Sequence, residues 1–413
     1  MSASLSILML ATSYPKYAGE ATAPFIEEIA AGLVRRGHRV QVALPFHPEI
    51  RREPIERGVN LHIFHYSPLA QLNVWGYAGS LTGDVGLKGA ALAVAPLALG
   101  ASYRALLQLT KQQSVDVIHA HWVLPNGPPA ALVARQRRLP LVVSMHGSDV
   151  YMAEKTPPLS ALAATVFRQA GTITACSGDL ARRALRLGAP PERTEVIPYG
   201  VDTSTFQPDP EAAARVREGL RLPPATPLVV SVSRMVYKKG LTYLLEAFPA
   251  VLARHPRAVL VLGGYGDLRG ELERRATELG IAEQVRFPGQ LSREGAAALI
   301  GAADVYVVPS IHDQSGNVDG LPNVLLESMS AARPIVASRL AGIPDVIADG
   351  VHGLLVPERD AVSLGEAITR LLGNRGLARQ LGEAARRRVL TELTWDVAAE
   401  RFEAAYQRAL AQH

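Results

Sequence analysis

Short runs of β-branched and apolar residues alternate with helical patterns from one end of the chain to the other. In the first half the apolar runs Leu5–Ala11, Arg39–Leu44, Asn60–Tyr66, Asp116–His119, Leu141–Met145, Thr172–Cys176 and Thr194–Ile197 read as strands. Helical periodicity lies between them at Phe25–Arg36, within Val85–Gln112 and at Leu159–Ala170. The alternation starts afresh at Pro227, with strands at Leu228–Val232, Ala258–Leu262, Val285–Phe287, Val305–Val308, Ile335–Ser338 and Gly353–Val356. Parallel neighbours need a crossover, and a helix is its usual form, so strands separated by helices predict parallel sheets. The expected fold class is α/β, with two doubly wound domains facing a cleft. Residues 1–200 form the first domain and 227–393 the second. Gly200–Pro227, rich in Pro, Ala and charge, supplies the linker, 201–226, and a first connecting helix. Arg375–Leu393 and Trp395–Ala411 close the chain as amphipathic helices with heavy Arg/Glu faces.

Composition narrows the class. The 413 residues exceed what one core usually holds, and 48% apolar with 20% charged residues is globular rather than disordered. Cys176 is the only cysteine, which excludes an internal disulfide and points to a reducing cytosol. Leu5–Ala11 lacks a basic leader and a cleavage site, so it reads as a strand and not a signal peptide. No uninterrupted apolar run approaches the ~20 residues needed to span a bilayer; the nearest, Gly89–Tyr103, contains Pro96. A cytoplasmic protein is expected. The charge is uneven: residues 1–205 carry 19 Lys/Arg against 14 Asp/Glu, and the remainder 24 of each. A basic first half suits an anionic membrane surface or acceptor. No basic run with interleaved aromatics points to nucleic acid.

The candidate chemistry lies in strand-to-helix loops. Asp319 sits in the Gly/Asn/Pro-rich loop after Val305–Val308. Pro322 is placed to open the helix Asn323–Ala331, which carries Glu327. A helix N-terminus attracts an anion, and carboxylates accept hydrogen bonds from hydroxyls, so the pair suits a nucleotide-sugar. Upstream, the strand Leu228–Val232 leads through Arg234 and Lys239 into the helix Leu241–Ala253, two cations well placed to neutralise a diphosphate. His119 and His121 alternate along a strand and share a face, yet no further ligands stand at metal spacing. His146, in HGSD after Leu141–Met145, lies where parallel strands converge on a ligand crevice. Gly264-Tyr265-Gly266 with Gly270 departs from the dinucleotide spacing, and Asp313–Asn317, which includes Ser315, lacks the glycine and glutamate of a calcium loop.

Together SRMVYKKG, GGYGD (Gly263–Asp267), VRFPG (Val285–Gly289) and DGLPNVLLE resemble the retaining glycosyltransferases of the GT-B fold, family 4. That family carries an R-x4-K pair and an E-x7-E motif, where Arg234/Lys239 and Asp319/Glu327 stand here; the first acid is Asp and one methylene shorter. The resemblance implies two Rossmann-like domains, with helix 394–413 crossing back onto the first. It implies hexosyl transfer from a UDP- or GDP-linked sugar to an acceptor hydroxyl, needing no metal or other cofactor. Arg234 and Lys239 would hold the diphosphate, Glu327 the ribose, and Asp319 and His146 the sugar. Gly19, Gly264, Leu291, Gly320, Asn323, Val324 and Leu325 would complete the donor site, with His121 and Asp149 on the acceptor side and Asp149 ordering its loop. The expected partners are the nucleotide-sugar and a lipid-linked or saccharide acceptor in envelope polysaccharide or glycolipid synthesis. The region Val74–Gln112, with Trp75, Tyr77, Lys88, Arg104 and Lys111, is the candidate for transient contact with the inner face of the plasma membrane. A soluble small-molecule acceptor, a nucleotide-sugar epimerase or phosphorylase, or a non-catalytic binder are the alternatives on this architecture.

Overall fold

The computed structural model describes residues 4–20, 23–67, 69, 72–73, 75–77, 81–82, 86–87, 89–223, 225–314 and 316–413, with backbone alone for 81–82, 86–87 and 89–92. Val74, Val85, Lys88 and Ser315, named above, lie outside the described residues. The chain divides into two compact units, Met1–Tyr199 with Trp395–His413, and Gly200–Thr394.

The strands of the first unit are β1 (Ser6–Leu10), β2 (Arg39–Pro45), β3 (Ile55–Glu56), β4 (Val59–Phe64), β5 (Leu81–Thr82), β6 (Gly86–Leu87), β7 (Val117–His121), β8 (Leu141–Met145), β9 (Thr172–Ala175) and β10 (Thr194–Val196). Eight of them form one sheet in the order β10-β9-β8-β7-β1-β2-β4-β3, parallel except where β3 meets β4; β5 and β6 pair separately. Strands β1, β7, β8 and β9 are buried along their whole length, as expected of a parallel sheet covered on both faces.

The last helix, Trp395–Ala411, packs on this sheet. Thr172 Oγ1 donates to the Ala405 carbonyl at 3.1 Å, and a Cβ added at Gly32 would lie 2.9 Å from the Ala399 Cβ. Close backbone approach at Gly32 and Gly171 lets the helix lie flat.

The second unit has β11 (Leu228–Val232), β12 (Val259–Gly263), β13 (Val285–Gly289), β14 (Val305–Val308), β15 (Ile335–Ser338) and β16 (Leu354–Val356). Their order is β13-β12-β11-β14-β15-β16, all parallel. Leu244, Leu245 and Phe248 of the helix Leu241–Arg254 bury against Val229, Leu260 and Val307, so its apolar stripe covers one face of the sheet. Both units are Rossmann-like.

Two expectations change. The helix Val123–Arg137 follows β7 directly and was not predicted, because Pro125, Pro128 and Pro129 interrupt its apolar periodicity. Trp75 and Tyr77, expected on a membrane-facing surface, are buried. Trp75 joins Tyr66, Val94 and Ala98 in a cluster, and Tyr77 Oη donates to the Pro45 carbonyl at 3.0 Å. Among the described residues no helix is long and apolar enough to cross a membrane.

Candidate functional site

In the second unit the strand order reverses beside β11, whose neighbours are β12 and β14. Loops leaving the carboxyl ends at such a reversal part to opposite sides and open a ligand site. Because Val229 registers with Val305 and Val230 with Tyr306, the loops after β11 and β14 emerge side by side. They touch through backbone: Gly240, at φ +64°, has the Pro309 carbonyl where a Cβ would stand. Residues 80 apart in sequence therefore meet. Lys238 Nζ lies 2.7 Å from Asp319 Oδ1, and Lys239 Nζ pairs with Asp319 Oδ2. Burial would raise the Asp319 carboxyl, but the charges and hydrogen bonds of the two lysines outweigh it and hold it well below the usual carboxylate range. Arg234 is exposed on the same loop. Lys239 lines a small cavity with Ser231, Ser233, Ser310 and Val324, and the buried Ser310 Oγ has no hydrogen-bond partner among the described residues.

Glu327 projects from the helix Asn323–Ser330 and is half-buried. Burial raises its carboxyl to about 7, against the smaller opposing pull of Arg293 and Lys239. A carboxyl whose folded value lies above its unfolded one favours folding fully below the unfolded value and loses that contribution as pH rises through the folded one. Glu327→Gln cannot ionise, so relative to the unsubstituted protein it should gain on the order of 1–2 kcal/mol in stability between pH 5 and pH 8, after discounting for solvent screening. Urea unfolding at the two pH values checks this; an equal difference at both would contradict it.

In the first unit β7 and β8 carry a chain of rings. His119 bonds Tyr406 Oη through Nδ1 at 2.8 Å and Ser144 Oγ through Nε2 at 2.6 Å. His121 Nδ1 lies 3.1 Å from His146 Nε2, and His146 Nδ1 lies 2.8 Å from Tyr199 Oη. Phe25 lies against the His146 ring, with centroids 4.6 Å apart. Burial pushes all three histidines down, His121 to about 3, so they are neutral at physiological pH. Asp149 accepts from the backbone N–H groups of Val123 at 2.8 Å, Gly147 at 3.0 Å and His146 at 3.2 Å, tying the loop after β8 to the start of the helix after β7. Burial raises its carboxyl to about 6 although these donors pull it down.

Comparisons with known proteins place the chain in a family. Residues 214–388 match the family described as Glycosyl transferases group 1, and residues 21–200 the Glycosyl transferase 4-like domain. A GDP-mannose-dependent alpha-(1-6)-phosphatidylinositol monomannoside mannosyltransferase of Mycobacterium tuberculosis is 32% identical over 280 residues, covering 66% of this chain and 71% of that protein. The chain belongs to the glycosyl transferases group 1 family. A D-inositol 3-phosphate glycosyltransferase of Acidothermus cellulolyticus is 32% identical over 315 residues, 72% of this chain and 68% of the relative. Among solved structures, sucrose-phosphate synthase of Thermosynechococcus elongatus superposes with a TM-score of 0.78 at 22% identity, covering 99% of this chain and 100% of that one. Anabaena HepE in complex with UDP gives 0.75 at 19%, covering 97% and 99%. These establish the GT-B fold. The family acts with retention on nucleotide-sugar donors and is generally metal-independent.

In this group 1 glycosyltransferase the structure brings Lys239, Asp319 and Glu327 into one neighbourhood of the second unit, with Arg234 on the loop that carries Lys239. Gly264, at φ +125°, packs beneath Ser233, and Leu291 packs on Gly263. Pro322 is the residue before the helix rather than its first, because its ψ of 122° is extended. Leu325, expected at the donor, is fully buried and its N–H donates to the Pro322 carbonyl at 3.1 Å. Asn323 and Val324 keep the first-turn N–H groups that a helix does not itself use. Gly320 is buried and its carbonyl accepts from Gly342 N at 2.9 Å, whereas Gly19 lies in an open loop at φ +83°. His121 and Asp149, expected on the acceptor side, are buried at 0% and 1% exposure; His121 contacts His146, and Asp149 orders its loop as expected. Sequence reasoning missed Lys238, Tyr199 and Arg293. Only Lys238 left a signal, a second lysine beside the recognised one.

Proposed function

We propose that this enzyme transfers a hexosyl unit, with retention, from a UDP- or GDP-linked sugar to a hydroxyl of a lipid-linked or envelope-polysaccharide acceptor. The observation that carries the reading is the meeting of Lys239 and Asp319 at the strand-order reversal, with Glu327 on the helix that follows. Lys239, Arg234 and the N–H groups of Asn323 and Val324 serve the charge that grows on the departing diphosphate. Glu327 accepts from the ribose hydroxyls and Asp319 from the sugar hydroxyls; Gly264, Leu291 and Gly320 shape the donor pocket. His146 and Gly19 of the first unit are the remaining candidates for sugar contacts. The mannosyltransferase relatives are named for GDP-mannose and phosphatidylinositol mannosides, which makes that donor and a lipid acceptor the first to try.

A donor panel of GDP-mannose, GDP-glucose, UDP-glucose, UDP-GlcNAc and UDP-galactose, offered with lipid-linked and polysaccharide acceptors, tests the reading by released nucleoside diphosphate. Acceptor-dependent release from at least one donor is expected, and it should persist in EDTA because protein cations and N–H groups serve the diphosphate. No release from any donor would overturn the assignment. Sugar interconversion without acceptor would indicate an epimerase, and loss in EDTA with recovery on Mn²⁺ would show the diphosphate site misread.

The acceptor has its own test. Trp75 and Tyr77 are buried, so any membrane contact falls to the basic charge of the first half and to exposed apolar residues such as Leu69 and Leu97. Co-sedimentation with anionic vesicles should exceed that with neutral ones and weaken with salt, since exposed charges are screened within about 8 Å at physiological ionic strength. Equal, negligible sedimentation with both would favour a soluble acceptor.

A further inference from the structure

Two consecutive lysines share one carboxylate, and they are not equivalent. Tyr237–Lys239 forms a single 3-10 turn, whose successive side chains point about 120° apart, yet both ammonium groups converge on Asp319. Lys238 is the deeper, with a side chain 9% exposed against 15% for Lys239. Lys239 lines the cavity floored by Ser231, Ser233 and Ser310; Lys238 is not among the residues around it. An ammonium buried as deeply as Lys238 is stable only beside a counter-charge, and the same holds for the carboxylate that it meets. Asp319, one methylene shorter than the glutamate of the family pattern, lies within reach of both lysines.

We propose that Lys238 is a positioning residue, the standing counter-ion of Asp319, whose presence leaves Lys239 available to the donor diphosphate. Without ligand, the two ammonium groups share one carboxylate. When a diphosphate arrives, Lys239 turns to it and the Lys238–Asp319 pair stays neutral and in place. Without Lys238, Lys239 is the one remaining ion-pair partner of Asp319 among the described residues, and the ligand must compete with that pair. The proposal rests on the reading of Lys239 as a diphosphate ligand.

The test uses the full chain, with UDP and GDP as probes, each titrated calorimetrically against Lys238→Met, Lys239→Met, Asp319→Asn and Lys238→Met/Asp319→Asn. Lys239→Met should weaken the better-bound nucleotide about tenfold or more, the size of losing a charge-assisted contact. Lys238→Met should weaken it about tenfold, although Lys238 touches no ligand, because a buried pair competes with binding. Asp319→Asn should bind at least as tightly as the unsubstituted protein. The double variant should return to within about threefold of it, since neutralising the carboxylate releases Lys239. This recovery is what a merely structural role for Lys238 would not produce, and it also shows that the chain has folded. If Lys239→Met weakens binding and Lys238→Met does not, the counter-ion role fails and the site reading stands. If Lys238→Met weakens binding and the double variant does not recover, Lys238 is itself a ligand and the proposal is overturned. If Lys239→Met binds normally, the reading of the site itself falls.

Discussion

Replacing Lys239 or Arg234 by alanine should slow turnover by roughly 10²–10³-fold, the loss typical of removing one preorganised charge donor from a transition state. Both side chains leave the loop after β11, and Lys239 lines a cavity with Val324 of the first turn of the helix Asn323–Ser330. The effect should fall mainly on kcat, because charge on the bridging oxygen grows as the glycosidic bond breaks. Folding should survive in the Lys239 variant, since Lys238 still neutralises Asp319 at 2.7 Å. Steady-state rates at saturating donor decide it: values within threefold of the unsubstituted enzyme in both variants would remove these residues from the site.

Gly264→Ala should be nearly as damaging by a different route. Gly264 stands at φ +125°, a conformation that L side chains rarely adopt, and its added Cβ would lie 2.0 Å from the Ser233 carbonyl oxygen. The obstacle is backbone, which cannot rotate aside, and Gly264 N is already tied to the Gly289 carbonyl at 2.8 Å. Strain and forced displacement together should cost about 3–5 kcal/mol. For a unit of this size that lowers the melting temperature by roughly 10 °C. Displacing Ser233 should also move Arg234 and weaken nucleotide binding. Gly270→Ala is the internal control. That position opens a helix, with nothing within 4 Å of its Cβ, so the substitution should be neutral or slightly stabilising. A Gly264 variant that melts with its Gly270 counterpart would contradict the close packing described here.

Much of this could be read from local pattern. The apolar runs that predicted strands are strands to within a residue or two, because a buried parallel strand must be apolar on both faces. Arg234, Lys239 and Asp319 were identifiable because they sit in strand-to-helix loops announced by Gly240 or by Gly320 and Pro322, and Glu327 because it lies on the helix that follows. The helix Val123–Arg137 escaped because its prolines hide the periodicity.

The amino-acid sequence by itself determined the principal strands, that there are two α/β units, and which loops hold cations and acids. These follow from the spacing of neighbouring residues, which local geometry translates directly. Tertiary structure alone decided that Lys238 shares Asp319 with Lys239, that His121 and Asp149 are buried, and that Trp75 and Tyr77 are interior. Each of these depends on which strands lie side by side. Strand order is set by how whole sheets and helices bury their apolar faces against one another, and no short stretch of sequence records it.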